Sequence, residues 1–155
     1  MFKREIETQI EIDAAPRIVW ETLVGLEYYP EWNPMIRSAR GRIEVGERLS
    51  LYYSPPGEKP RIFEPKLKVV EREKEFRWLG NPGVPFFFES EHYFLLEKIT
   101  TKRALLKHNM LFYGILTPIF WGFIEKRLKG NFELMNEAHK KRAERLFQIE
   151  NNPAT

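Results

Sequence analysis

No cysteine occurs among the 155 residues, which excludes disulfides, thiolate metal sites and cysteine nucleophiles together. Nor is there a glycine-rich phosphate loop, a serine in a nucleophile elbow, or a pair of carboxylates expected to face inward. Enzyme classes built on those devices are disfavoured. Long hydrophobic runs are missing too. The longest, residues 110–124, is interrupted by Gly114, Thr117, Pro118 and Gly122 and is shorter than the ~20 apolar residues of a spanning helix, so no stable membrane insertion is expected. The first five residues lead into a polar alternating pattern rather than a signal-peptide core, and a cytoplasmic location is the expectation. An excess of one charge is absent as well. With 25 Lys and Arg against 22 Asp and Glu, the formal charge is +3, and nucleic-acid binding is not implied. The densest basic cluster, Lys140, Lys141, Arg142 and Arg145, is interleaved with Glu137 and Glu144 and reads as a solvated helix face.

What the chain has in excess is aromatic side chains, 14% of all residues, and these need either a core to fill or a cavity to line. Without a linker or repeat, the chain reads as one domain over residues 1–148, followed by a tail at 149–155.

Residues 117–148 read as one long amphipathic helix, with Thr117 as N-cap and Pro118 at the first helical position. At 100° per residue, Phe120, Ile124, Leu128, Asn131, Met135, Ala138, Arg142 and Leu146 share a stripe, with Phe132 and Leu134 at its margins. Asn131 and Arg142 on that stripe need partners. Gly130, inside the pattern, marks a possible bend or close contact.

Everything before the helix reads as strands and turns. Residues 2–12 alternate, with Phe2, Ile6, Thr8, Ile10 and Ile12 on one face. Pro16 opens a short helix that ends at Gly25, and a second short helix or turn covers residues 28–32. Strands follow at residues 35–43, 47–53, 61–71, 75–79, 87–99 and 103–113. Pro65 demotes the 61–71 strand to an edge or a bulge, and the stretches 55–57 and 81–85 are loops. The expected architecture is α+β: a curved antiparallel sheet of about seven strands around a long C-terminal helix, with two short helices after the first strand.

Several pieces resemble the START-like superfamily, the helix-grip or SRPBCC proteins, within it the polyketide cyclase/dehydrase and lipid-transport group. They are the stretch from Ile10 to Pro16 running into Val19-Trp20, Trp32-Asn33-Pro34, Trp78 before Gly80, and His92-Tyr93-Phe94. Leu106, His108, Phe112 and Gly114 at alternate positions complete the set. The resemblance implies a cavity between sheet and helix that takes lipids, sterols, polyketides, hormones or quinones. A minority of the family catalyses cyclisation, dehydration or hydrolysis, and no shared catalytic residue defines it.

The residues expected to line such a cavity are Trp32, Phe63, Trp78, Phe88, Ser90, His92 and Phe94 from the strands and loops, together with His108, Met110 and Phe112. The helix would add Phe120, Ile124, Leu128, Asn131 and Met135. With a three-residue turn between the last two strands, position numbers summing to 200 pair directly, so that His92 faces His108. Either imidazole is a candidate general base, with Asn33 or Tyr93 as an orienting group. The other reading is a hydrogen-bonded cavity or core pair, and Asn33 reads first as a turn residue bonded to backbone. No third ligand is near, so neither a metal nor a cofactor is expected. His139 falls toward the polar flank and is expected at the surface. Phe86, Phe87 and Phe88, with Tyr113, Phe120 and Trp121, would form an apolar mouth. The partner implied is a small hydrophobic molecule held by a carrier or sensor, the alternative being a cyclase or dehydratase. Oligomeric state stays open.

Overall fold

The computed structural model describes residues 2–80 and 87–153. The loop expected at 81–85, and Phe86, lie outside the described residues.

Strand β1, Lys3–Ile12, leads to helix α1, Pro16–Val24, a 3-10 turn at Leu26–Tyr28, and α2, Tyr29–Trp32. Strands β2, Ile36–Arg40, β3, Ser50–Tyr53, and β4, Arg61–Phe63, form one antiparallel sheet in that order. Strands β5, Lys66–Glu71, β6, Glu75–Gly80, β7, Glu89–Thr100, and β8, Arg103–Tyr113, form a second sheet with β1, ordered β1-β8-β7-β6-β5. Helix α3, Thr117–Asn151, follows β8 and runs three residues past the expected end.

The strand expected over 61–71 is split in two. Pro65 has no N–H to give a ladder, and the chain changes sheet there: Leu51 pairs with Phe63 on one side, while Leu49 N–H reaches the Pro65 carbonyl and Leu67 N–H reaches Glu47 on the other. Those bonds, with the bridge between Arg48 and Lys66, join the two sheets into one curved surface.

Helix α3 starts differently from the sequence reading. Leu116, not Thr117, occupies the cap, with its carbonyl accepting from the N–H groups of Ile119 and Phe120. Thr117 is already helical and its buried hydroxyl makes no bond. Before it, Gly114 sits at φ +128°, and a side chain there would meet the Phe87 carbonyl oxygen at 2.4 Å, so only glycine lets β8 turn into the helix against residue 87.

The buried stripe of α3 is also rotated from the expected one. Phe132, Met135, Asn136, His139 and Ala143 are buried, whereas Asn131 and Arg142 lie at its edge. Both edge residues find polar partners: Asn131 Nδ2 donates to Tyr53 Oη and to Glu58 Oε2, each at 3.1 Å, and Arg142 pairs with Glu31 at 3.1 Å. His139, expected in water, is 1% exposed and bonds through Nε2 to the Val19 carbonyl at 3.0 Å. Before Phe132 the helix packs loosely, Phe123 being 84% exposed. Among the described residues no helix is long and apolar enough to cross a membrane.

Gly130 meets no neighbour: a Cβ built there finds nothing within 4 Å. Gly130→Ala should therefore raise the unfolding free energy by about 0.5–1 kcal/mol in urea titrations, since only helix propensity changes. A loss of stability would mean that the helix needs the glycine to bend.

Candidate functional site

The hairpin of β7 and β8 carries both strand histidines. Its register is displaced by two residues from the expected one: His92 lies opposite Met110, and His108 opposite Phe94. The turn is tighter than three residues, with Thr100 paired to Arg103, and the ladder slips between Lys98 and Thr100, leaving Ile99 as an extra residue. A shift of two keeps every side chain on its face. The histidines therefore still point inward together and meet diagonally, Nε2 to Nε2 at 2.7 Å.

Around them is a cage of rings. Phe132 of α3 stacks on His108 with centroids 4.1 Å apart and lies 5.0 Å from His92. Phe94 covers His108 at 4.3 Å, and Trp78 covers His92 at 4.6 Å. Trp78 and Phe76 are both buried on this concave face, as their spacing on β6 requires. At this level the space between helix and sheet is filled by side chains.

The polar atoms in the cage form a directed chain. Thr8 Oγ1 donates its one hydrogen to the His108 carbonyl at 2.6 Å, an oxygen that can only accept. It therefore meets Asn136 as an acceptor, and the amide edge facing it at 2.9 Å is the NH2 group. This turns the Asn136 oxygen to His108 Nδ1, 2.9 Å away, so Nδ1 carries the His108 proton. Burial opposes a charge on either ring, pushing the His92 pKa down to about 3 and that of His108 well below its ordinary value, the latter also through repulsion from His92. In the neutral pair His108 Nε2 is a bare lone pair, and His92 Nε2 supplies the hydrogen between them. His92 Nδ1 ends the chain with no hydrogen bond among the described residues, on a ring that remains partly accessible while His108 is sealed.

The residues named from sequence divide into groups. Trp78, His92, Phe94, His108 and Met135 belong to the caged core. Phe88, Met110, Phe112, Ile124 and Leu128 form a second cluster with Ile6, Trp121 and Phe132, in which Phe88, Met110, Trp121, Ile124 and Leu128 are only half-buried. Phe88 stacks on Phe112 at 5.6 Å and meets Phe120, itself 42% exposed, at 5.4 Å. Ser90 is buried against Gly80, where a Cβ would lie 2.4 Å from its hydroxyl oxygen. Phe63 packs on Tyr53 under Arg61, away from the histidines. Trp32 lies over His139 at 5.1 Å, its indole N–H unpartnered. Asn33 Oδ1 accepts from the N–H groups of Met35 and Ile36, a backbone role. Tyr93 cannot orient a ligand beside His92: it lies on the convex face, bonded to Glu5 with Arg77 over its ring. Thr8, Asn136 and Phe132 were missed as site residues. Of these only Thr8, on the inward face of β1, and Phe132, at the edge of the helical stripe, were marked by any pattern.

A groove of about 780 Å³ lies between β1, β8 and α3, lined by Glu7, Thr8, Gln9, Lys107, Glu133 and Glu137 among others, so that it reaches the Thr8 end of the hydrogen-bond chain from the side away from His92.

No family model matches the chain, and no curated protein matches it. Solved structures do. The two-domain aromatase/cyclase BexL superposes with a TM-score of 0.76 at 17% identity over 96% of this chain, which spans 48% of BexL. The Zhui aromatase/cyclase from a Streptomyces species gives 0.75 at 16% identity, covering 93% of this chain and 95% of that one. A START superfamily protein from Mycobacterium smegmatis gives 0.73 at 18% identity, covering 92% and 98%. The chain has the START-like, helix-grip fold.

Burial lowers the His139 pKa from 6.5 to about 4, the bond to the Val19 carbonyl opposing it only in part. Between those values the unfolded chain holds the proton and the folded chain does not, so stability is full above about pH 6.5 and falls as the pH drops toward 4. This one group should remove about 1.4 kcal/mol per pH unit across that window. Urea titrations of His139→Phe should show the slope reduced by that amount. An unchanged slope would put the imidazole in water.

Proposed function

We propose that the chain binds a small hydrophobic ligand between the five-stranded sheet and the first half of α3, as a carrier or sensor. The observation that carries this reading is the second apolar cluster. Phe88, Met110, Trp121, Ile124 and Leu128 are only half covered, beside a caged core whose rings, His92 apart, are buried. Apolar walls with few polar groups are the usual make-up of such sites. Met110 stands opposite His92 in the ladder, so the cluster adjoins the ring on which the histidine chain ends. Likeness to solved aromatase/cyclases and a START superfamily protein supports the fold this reading needs.

Native mass spectrometry of protein from its own source, with a thermal-shift panel of lipids, quinones and polyketide-like aromatics, tests it. A ligand at about 100 times its Kd adds about 2.7 kcal/mol to stability. Leu128→Trp, filling the half-covered cluster, should abolish that shift while leaving the free protein as stable as the parent. No bound molecule and no shift across the panel would remove the reading.

A second reading is an enzyme of the cyclase or dehydratase type with His92 as general base. It is favoured by one feature, the unshared pair on His92 Nδ1, held by an ordered partner on the other ring nitrogen. Turnover of a polyketide-like substrate should then fall at least a hundredfold in His92→Ala with the fold retained. Equal turnover in parent and variant would exclude it.

A further inference from the structure

The hydrogen-bond chain in the core has a direction, and that direction sets what the site accepts. Thr8 and Asn136 are both buried, Thr8 at 8% and Asn136 at 3% exposure, and neither belongs to the apolar walls. Yet Thr8 fixes the Asn136 amide, the amide fixes the His108 proton on Nδ1, and His108 fixes the His92 proton on Nε2. Among the described residues this chain ends on one unpartnered atom, His92 Nδ1, which keeps its lone pair on the ring that stands opposite Met110 of the apolar cluster.

We infer that Thr8 and Asn136 are positioning residues that lock His92 Nδ1 as a hydrogen-bond acceptor, so that the site selects an apolar ligand carrying a neutral hydroxyl and discriminates against its ether and its carboxylate. This rests on the ligand-binding reading above. An ether offers no hydrogen to the lone pair, and a carboxylate sets two acceptors against each other in a poorly solvated site. Of these three groups only the hydroxyl completes the chain.

The direction can be reversed without touching His92. In Asn136→Asp the carboxylate beside His108 Nδ1 favours the doubly protonated ring. His108 Nε2–H then donates to His92 Nε2, and the last hydrogen moves to His92 Nδ1, which becomes a donor. Thr8→Val removes the hydroxyl that fixes the amide, so both directions are populated.

The test uses 2-naphthol, 2-methoxynaphthalene and 2-naphthoate as probes of one shape, with calorimetry for affinity and ¹⁵N NMR of histidine-labelled protein for the tautomers. In the parent, 2-naphthol should bind about tenfold tighter than its methyl ether, with naphthoate weaker still. The spectra should show His108 protonated at Nδ1 and His92 at Nε2. In Asn136→Asp the order should invert in favour of naphthoate, and in Thr8→Val the preference for naphthol should vanish, with mixed tautomers. Should either variant fail to fold, the parent spectrum alone decides: His92 protonated on Nδ1 overturns the inference. Equal binding of all three probes to the parent overturns it too, while leaving the ligand-binding reading in place. Binding of none removes both.

Discussion

Asn136 is the contact through which the long helix is keyed to the sheet. Its amide bonds at one end to Thr8 on β1 and at the other to His108 on β8, two residues directly opposite each other in the ladder. A buried amide satisfied at both ends holds its position, because rotating the helix would strand a donor and an acceptor in an apolar interior at about 1–3 kcal/mol each. The rotation so fixed brings in Phe132, one turn earlier, and His139 and Ala143, one and two turns later. Asn131 and Leu134 are turned to the flanks. The ring cage follows from that keying, since Phe132 can stack on His108 and cover His92 only while Asn136 stays between Thr8 and His108.

The same keying divides α3 in two. Beyond Phe132 the helix lies on β1 and α1 and its inner face is closed. Before it, Ile124 and Leu128 are only half-covered, and Ile119 and Phe123 face solvent. Gly122 and Gly130 fall in this part, with no neighbour near either Cα that would require a glycine. Weak packing and low helix propensity coincide over the stretch that borders the half-open cluster, and regions that admit ligands are drawn from that end of the stability range.

Much of this was legible in the sequence where a period was involved. The alternation of β1, β7 and β8 gave the inward faces, and those faces survive a register wrong by two, since slipping by an even number moves no side chain across the sheet. What was illegible was the turn: the bulge at Ile99, which decides that His92 meets His108 diagonally, leaves no mark in composition. On α3 a stripe centred on Asn131 and Arg142 leaves His139 on the polar side. A histidine paired to a backbone carbonyl looks, in sequence, like one in water. The role of Thr8 was hidden more deeply, because its partner Asn136 lies 128 positions away and neither belongs to a motif.

The chemical character of the site follows from burial acting on a pair. A lone half-exposed histidine titrates near neutral pH and changes from acceptor to donor as it does so. Here the low-dielectric cage disfavours charge on both rings, and the two nitrogens facing each other at 2.7 Å must share one hydrogen. The pair then has two neutral arrangements of opposite direction, and nothing in the two rings prefers one. The choice is made by the side of the pair that is already fixed, and that side is Asn136, itself oriented by a hydroxyl whose only hydrogen is committed to a carbonyl. A main-chain oxygen on β8 is thus the ultimate source of the polarity seen at His92, and it cannot titrate. The open nitrogen is in this way an acceptor set by backbone geometry rather than by pH.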